Sequence, residues 1–251
     1  MILHNKYIFL CGGTYYKKSK CLKLENGAWM EHSTFNHERL WESTIPTKPA
    51  LFIFGGYDST HTYEYLPKGS TTWLMGKTEI PYGFMYGSAI ATRSGQEILL
   101  IGGSYTERRI LSFNVNDHTF RVLPSKLNVG RNRHKCAFIP NTNKIMITGG
   151  LGLGNWNGSD STEILDIEDG SVTMASPMNF KRLAHGMGTL TINGEDRLAV
   201  FGGFDWRKRL DNVELYNTQT GKWEMSDIKL KSEKSAFGFL TLKIGYIMPK
   251  Q

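Results

Sequence analysis

The chain has 251 residues, 40% of them hydrophobic and 21% charged, and a formal net charge of +7. That balance excludes a disordered chain, and no apolar run reaches the ~18 residues of a bilayer span, so no membrane partner is expected. The basic excess is scattered, with no Lys/Arg run longer than Arg207-Lys208-Arg209, and no basic helix or aromatic–basic RNA signature is present, so no nucleic-acid partner is expected either.

In chain order, Tyr7-Ile8-Phe9-Leu10-Cys11-Gly12-Gly13 is a short apolar strand that runs into two glycines. The same device returns at 51–56, 98–103, 145–150 and 198–203, with first glycines at 12, 55, 102, 149 and 202. Spacings of 43, 47, 47 and 53 residues mark a repeat architecture. Each repeat is read as a four-stranded antiparallel blade, with strands a to d from inside to outside. The chain opens on a b-strand at 7–11, with c and d at 20–24 and 28–32. The second blade places its four strands near 40–45, 50–54, 61–66 and 72–75. The third spans 86–123, the fourth 135–175 and the fifth 185–225. Segment 235–243 reads as a further a-strand, small residues first and then alternating apolars. It is expected to pair beside Ile8–Leu10, supply the inner strand the first blade lacks and close the ring, which removes exposed sheet edges.

A bulky residue follows each glycine pair at a matching place: Trp29, Trp73, Phe120, Val172 and Trp223. Before it lies a short strand, clearest in Asp211-Asn212-Val213-Glu214-Leu215-Tyr216-Asn217, and then a turn such as Thr218-Gln219-Thr220-Gly221-Lys222. Glycine pair, acidic–aromatic strand, turn and tryptophan resemble the Kelch repeat over nearly the whole chain. Phe120 and Val172 depart from the tryptophan, and the fourth unit has no aromatic in its third strand. The resemblance implies an all-β, five-bladed β-propeller that forms a single domain over 1–251, with units at 1–39, 40–85, 86–134, 135–184 and 185–234. A truncated six-bladed propeller is the alternative. The glycines and tryptophans are then structural, with Trp73 and Trp223 buried between blades.

The b–c and d–a connections share one face of such a disc. Aligned d–a connections place Arg39, Arg131 and Arg182 at one repeat position, with Phe84 in the second unit and Lys234 in the fifth. The Kelch resemblance implies that arginines here bind acidic peptide motifs. The competing role is structural, bonding a neighbouring blade's carbonyls. His134 and His185, three residues after their arginines, read as structural. The b–c loops add Tyr57, Tyr105, Arg108, Trp156, Trp206 and Arg207, residue types that dominate interface hot spots. Trp156 and Trp206 have the alternative of folding back on their own blades.

Enzyme signals are poor. Gly150-Leu151-Gly152-Leu153-Gly154-Asn155 imitates a dinucleotide loop but lacks the last glycine and a following helix. The seven histidines do not cluster at metal spacing, so no catalytic set, metal or cofactor is expected. Cys11, Cys21 and Cys136 are expected as free thiols, which with no evident signal peptide points to the cytoplasm. The reading is a monomeric, non-enzymatic protein-interaction module for an acidic or phosphorylated segment, with a substrate-adaptor role as one use. A cytoskeletal (actin) binder, and a propeller enzyme or small-molecule binder, are the alternatives.

Overall fold

The computed structural model describes residues 2–4, 7–12, 20–104, 107–152 and 157–234, which form strands and turns without a helix. Blade one comprises β1 (Ile2–His4), β2 (Tyr7–Cys11), β3 (Lys20–Glu25) and β4 (Ala28–Thr34). Blade two comprises β5 (Ser43–Pro46), β6 (Ala50–Phe54), β7 (Tyr63–Pro67) and β8 (Leu74–Met75). Blade three comprises β9 (Ser88–Ala91), β10 (Glu97–Ile101), β11 (Arg109–Asn114) and β12 (Phe120–Lys126). Blade four comprises β13 (Lys135–Phe138), β14 (Lys144–Thr148), β15 (Thr162–Asp166) and β16 (Val172–Ala175). Blade five comprises β17 (Gly186–Ile192), β18 (Glu195–Phe204), β19 (Arg209–Asn217) and β20 (Lys222–Lys234). Each blade is an antiparallel sheet in chain order, and the five stand in a ring as a propeller. The inner strands β1, β5, β9, β13 and β17 neighbour one another in succession.

The b-strands show why the repeats stack. Along β6, Leu51 and Ile53 pack with Cys21, Phe35 and Trp73 towards blade one, while Phe52 and Phe54 pack with Phe113 and Leu100 towards blade three. Strand alternation thus buries both faces, so the run reads as continuously apolar. Along β10, Ile98 and Leu100 face blade two while Leu99 and Ile101 face blade four. The glycine pair ends each b-strand where the next blade's connection presses in. Gly55 has φ 62° and lies against the Phe84 carbonyl, leaving no room for a side chain.

Trp73 and Trp223 occupy the expected inter-blade positions, 3% and 6% exposed. Trp73 Nε1 donates to Ser33 Oγ of blade one at 2.9 Å, and its ring meets Phe35 edge-on at 4.8 Å. Trp29 differs: on β4 it is 39% exposed.

The structure corrects two expectations. The place beside β2 is held by β1, with Ile2 opposite Phe9, Leu3 opposite Ile8 and His4 opposite Tyr7. A local hairpin closes a far shorter loop than pairing across the whole chain. Ile2-Leu3-His4 also lacks the small residues that mark the other inner strands. Segment 235–243 lies outside the described residues. The second correction concerns the cysteines. Cys11 and Cys21 stand directly opposite in the β2–β3 ladder and are joined by a disulfide, leaving Cys136 as the free thiol. The intervening loop does not hold them apart, because antiparallel pairing returns the chain to the same register. The thiol argument for a reducing compartment falls with this bridge.

Candidate protein-interaction site

The d–a connections repeat one local structure. Asn36 donates its main-chain and side-chain N–H to Glu64 Oε2 at 2.7 and 2.8 Å, and Arg39 reaches Glu64 Oε1 through Nε at 3.2 Å and Nη2 at 3.1 Å. Arg39 also donates to the Gly55 and Thr62 carbonyls at 2.7 and 3.0 Å. Asn128, Arg131 and Glu163 repeat this arrangement, with Arg131 Nη2 to Glu163 Oε1 at 2.6 Å. Asn179, Arg182 and Glu214 repeat it again, at 2.7 Å. All six charged side chains are at most 1% exposed. Burial lowers each arginine's pKa, and its glutamate raises it. The arginines therefore are not free cations at a channel mouth. Each clamps the crossover onto the blade it enters, the structural alternative read from the sequence.

Blade three, entered by a connection without the arginine, fits the same logic. In register, Glu64 opposes Ile53 and Glu163 opposes Ile147, whereas Leu111 opposes Leu100 at the equivalent place in blade three. Phe84 stands where the arginine would, and Phe84 and Leu111 are both buried in one apolar cluster. The ion pair is thus replaced as a pair.

His134 and His185 follow their arginines into the core, each 1% exposed. They lie over Gly102 and Gly149 of the preceding blades, and Thr148 Oγ1 is 2.8 Å from His185 Nε2. Burial, with Arg131 and Arg182 beside them, holds both rings well below the usual histidine range. Lys234 is also displaced from the expected ring. It ends β20, the outermost strand, opposite Leu210, because β20 runs past the expected end of the strand through two register shifts.

Two residues after each clamp position stand Trp41, which is exposed, and Tyr86, Arg133 and Ala184, which are half-buried. Trp41, Tyr86, Arg133 and Ala184 are equivalent, and all have left-handed backbone, with φ of 59°, 58°, 53° and 50°. Such φ values are uncommon for bulky residues and persist only where the surroundings impose them. Here main-chain hydrogen bonds link one connection to the next: Tyr86 N–H to Trp41 O at 3.0 Å, Arg133 to Tyr86 at 2.7 Å, Ala184 to Arg133 at 2.8 Å. The side chains form a ladder along this rim. Trp41 stacks on Tyr86 at 4.6 Å, meets Tyr57 edge-on at 5.8 Å, and Arg133 lies over Tyr86 at 4.0 Å. Trp41 and Tyr57 are 42% and 51% exposed. Arg133 makes no ion pair with any described residue.

Tyr57 is thus the sequence candidate that the structure brings into this cluster. Trp206 is 48% exposed with φ 76°, its ring 6.0 Å from Phe204 of its own blade. Arg207 follows it, exposed, in a turn capped by Asp205. Arg108 is exposed, and its Nε donates to the Leu127 carbonyl at 2.6 Å. Tyr105 and Trp156 lie outside the described residues. Trp41, Tyr86 and Arg133 were not singled out by sequence, although the arginine alignment already placed them in register.

The Kelch motif model matches residues 196–226, the b, c and d strands of blade five. No curated protein matches the chain significantly. The Kelch propeller is a general protein-interaction scaffold. With that motif on blade five and the same four-stranded build in every blade, the chain fits the Kelch-repeat β-propeller family.

Proposed function

We propose that this chain is a non-enzymatic protein-interaction module that receives a partner segment on the b–c/d–a face, centred on Trp41, Tyr57, Tyr86 and Arg133. The observation that carries this is the aromatic ladder, exposed at Trp41 and Tyr57, with Trp41 and Tyr86 held on hydrogen-bonded, left-handed backbone. Rigid aromatics of this kind supply large contact area at low entropic cost, and Trp, Tyr and Arg dominate interface energetics. An acidic side chain in the segment suits Arg133, which lacks a carboxylate partner among the described residues, with Arg108 and Arg207 exposed on the same face. Charge-assisted bonds of that kind are about twice as strong as neutral ones. A substrate-adaptor role is one use of such a face, and the cytoplasm one place for it.

A peptide-display selection against the purified propeller tests this. Enriched peptides carrying an acidic residue beside an aromatic or proline are expected. Trp41→Ala and Tyr57→Ala are each expected to weaken them by ~2 kcal/mol, roughly 30-fold in Kd. Peptides that bind both variants as tightly as the parent would sink the reading.

A further inference from the structure

On the face of the c–d turns, neighbouring blades are filled unequally. Between blades two and three an aromatic stack closes the gap. The His118 ring lies 4.8 Å from Tyr65 and 5.6 Å from Phe52, and Tyr63 Oη is 3.1 Å from its Nδ1. His118 enters from the c–d turn of blade three, where it takes left-handed backbone with φ of 61°. The c–d turn of blade two is equally long, residues 67–72 in one and 114–119 in the other. Its left-handed residue is Gly69, with φ of 80° and no side chain to insert. Blade one also offers less. In register Phe9 matches Phe52, while Cys21 and Lys23 hold the places of Tyr63 and Tyr65. What remains is a cavity of about 260 Å³ between blades one and two, lined among others by Tyr7, Phe9, Lys23, His32, Leu66 and Gly69.

We infer that this cavity binds a small planar aromatic acid, with its ring against Phe9, as the His118 imidazole lies against Phe52, and its carboxylate on Lys23. This goes beyond the protein-interaction reading and does not depend on it, since the cavity lies at the c–d turn of blade two, on the face opposite the rim. A cavity of about 150 Å³ is enough for a benzene ring, so the present one has room for a ring and one acidic group. Phe9 and Leu66 give it an apolar wall, 4% and 2% exposed, and His32 meets Phe9 edge-on at 5.1 Å. Burial, reinforced by Lys23 and opposed by Glu25, lowers the His32 pKa, so that ring adds aromatic surface and not charge at neutral pH. The cation is Lys23. Its Nζ lies 3.6 Å from the Tyr7 ring centroid and 2.5 Å from Glu25 Oε1, and the Glu25 side chain is 46% exposed. An ion pair with an exposed partner contributes little, so a ligand carboxylate can replace Glu25 there. Lys68, on the turn that lines the cavity, adds a second positive charge. The apolar wall alone suits any ring and the cation alone any anion; together they select a ring that carries an acid.

Calorimetric titration of the purified chain with benzoate tests this, with acetate as the anion without a ring and benzyl alcohol as the ring without a charge. Benzoate is expected to bind at millimolar concentration, at least ~10-fold tighter than either control. Lys23→Met is expected to reduce benzoate to the level of benzyl alcohol and Lys23→Arg to retain binding, with unaltered circular dichroism spectra showing that both are folded. In nuclear magnetic resonance spectra of the parent, the ring current of bound benzoate is expected to shift the Lys23 and Gly69 amides and to leave Tyr57, on the opposite face, in place. The inference is overturned if benzoate binds no tighter than acetate or benzyl alcohol, if folded Lys23→Met binds it like the parent, or if the shifted resonances lie away from the cavity.

Discussion

Replacing Arg131 by Met removes the charge and keeps most of the side chain's length. Glu163, fully buried, then keeps only neutral donors: the Asn128 main-chain and side-chain N–H at 2.5 and 3.1 Å and the Val129 N–H at 3.1 Å. The Gly149 and Ser161 carbonyls lose the Nη1 donor that reaches them at 2.8 and 3.1 Å. Stranding one partner of a buried ion pair costs about 3–5 kcal/mol. At roughly 2–4 °C per kcal/mol for a chain of this size, the melting temperature should fall by ~6–20 °C. The double variant Arg131→Phe/Glu163→Leu copies the Phe84 and Leu111 pair of blade three. It should be less destabilised than the sum of its singles by more than ~1 kcal/mol, since the charge left alone in each single is absent from it. Differential scanning calorimetry of the parent, Arg131→Met, the double variant and its two singles measures this. An Arg131→Met protein that melts like the parent but loses a peptide ligand would refute the clamp and restore Arg131 as an exposed recognition group.

Trp73→Ala should cost ~3–5 kcal/mol in denaturant unfolding, while Trp29→Ala should stay within ~0.5 kcal/mol; equal costs would contradict the inter-blade role of Trp73. Thiol titration of denatured, unreduced protein should find one thiol, Cys136, and three after reduction; three before reduction would contradict the Cys11–Cys21 bridge. Burial raises the Glu42 carboxyl to about 7, so the fold binds its proton more tightly than the unfolded chain does, and the Glu42 contribution to stability falls as pH rises from about 4.5 to about 7. Glu42→Gln should therefore gain on the parent over that interval, by up to ~3 kcal/mol, and parallel denaturant midpoints across it would contradict the assignment.

The repeat, its period and the inter-blade tryptophans could be read from the sequence because they rest on local patterns: glycine pairs, apolar b-strands and turns. The alignment of Arg39, Arg131 and Arg182 was right in register and wrong in direction. Alignment shows which residues are equivalent, not whether a side chain turns inward. The inward turn did leave a mark. Each connection with the arginine enters a blade with Glu64, Glu163 or Glu214 in its third strand, and Phe84 goes with Leu111. The rim ladder was harder to see, since Trp41, Tyr86, Arg133 and Ala184 share a backbone conformation and no side-chain chemistry. Ile2–His4 escaped because three residues without small side chains give no inner-strand pattern. The disulfide depended on the β2–β3 register, which cysteine spacing alone does not specify.

Hydroxyl-radical footprinting, with and without a display-selected peptide, reads the proposed face directly. In the free protein Trp41, Tyr57 and Trp29 should react, and Trp73 and Trp223 should not. With the peptide bound, Trp41 and Tyr57 should become protected while Trp29 reacts as before. Unchanged reactivity at Trp41 and Tyr57, or protection at Trp29 in their place, would contradict the assignment of the rim as the interaction site.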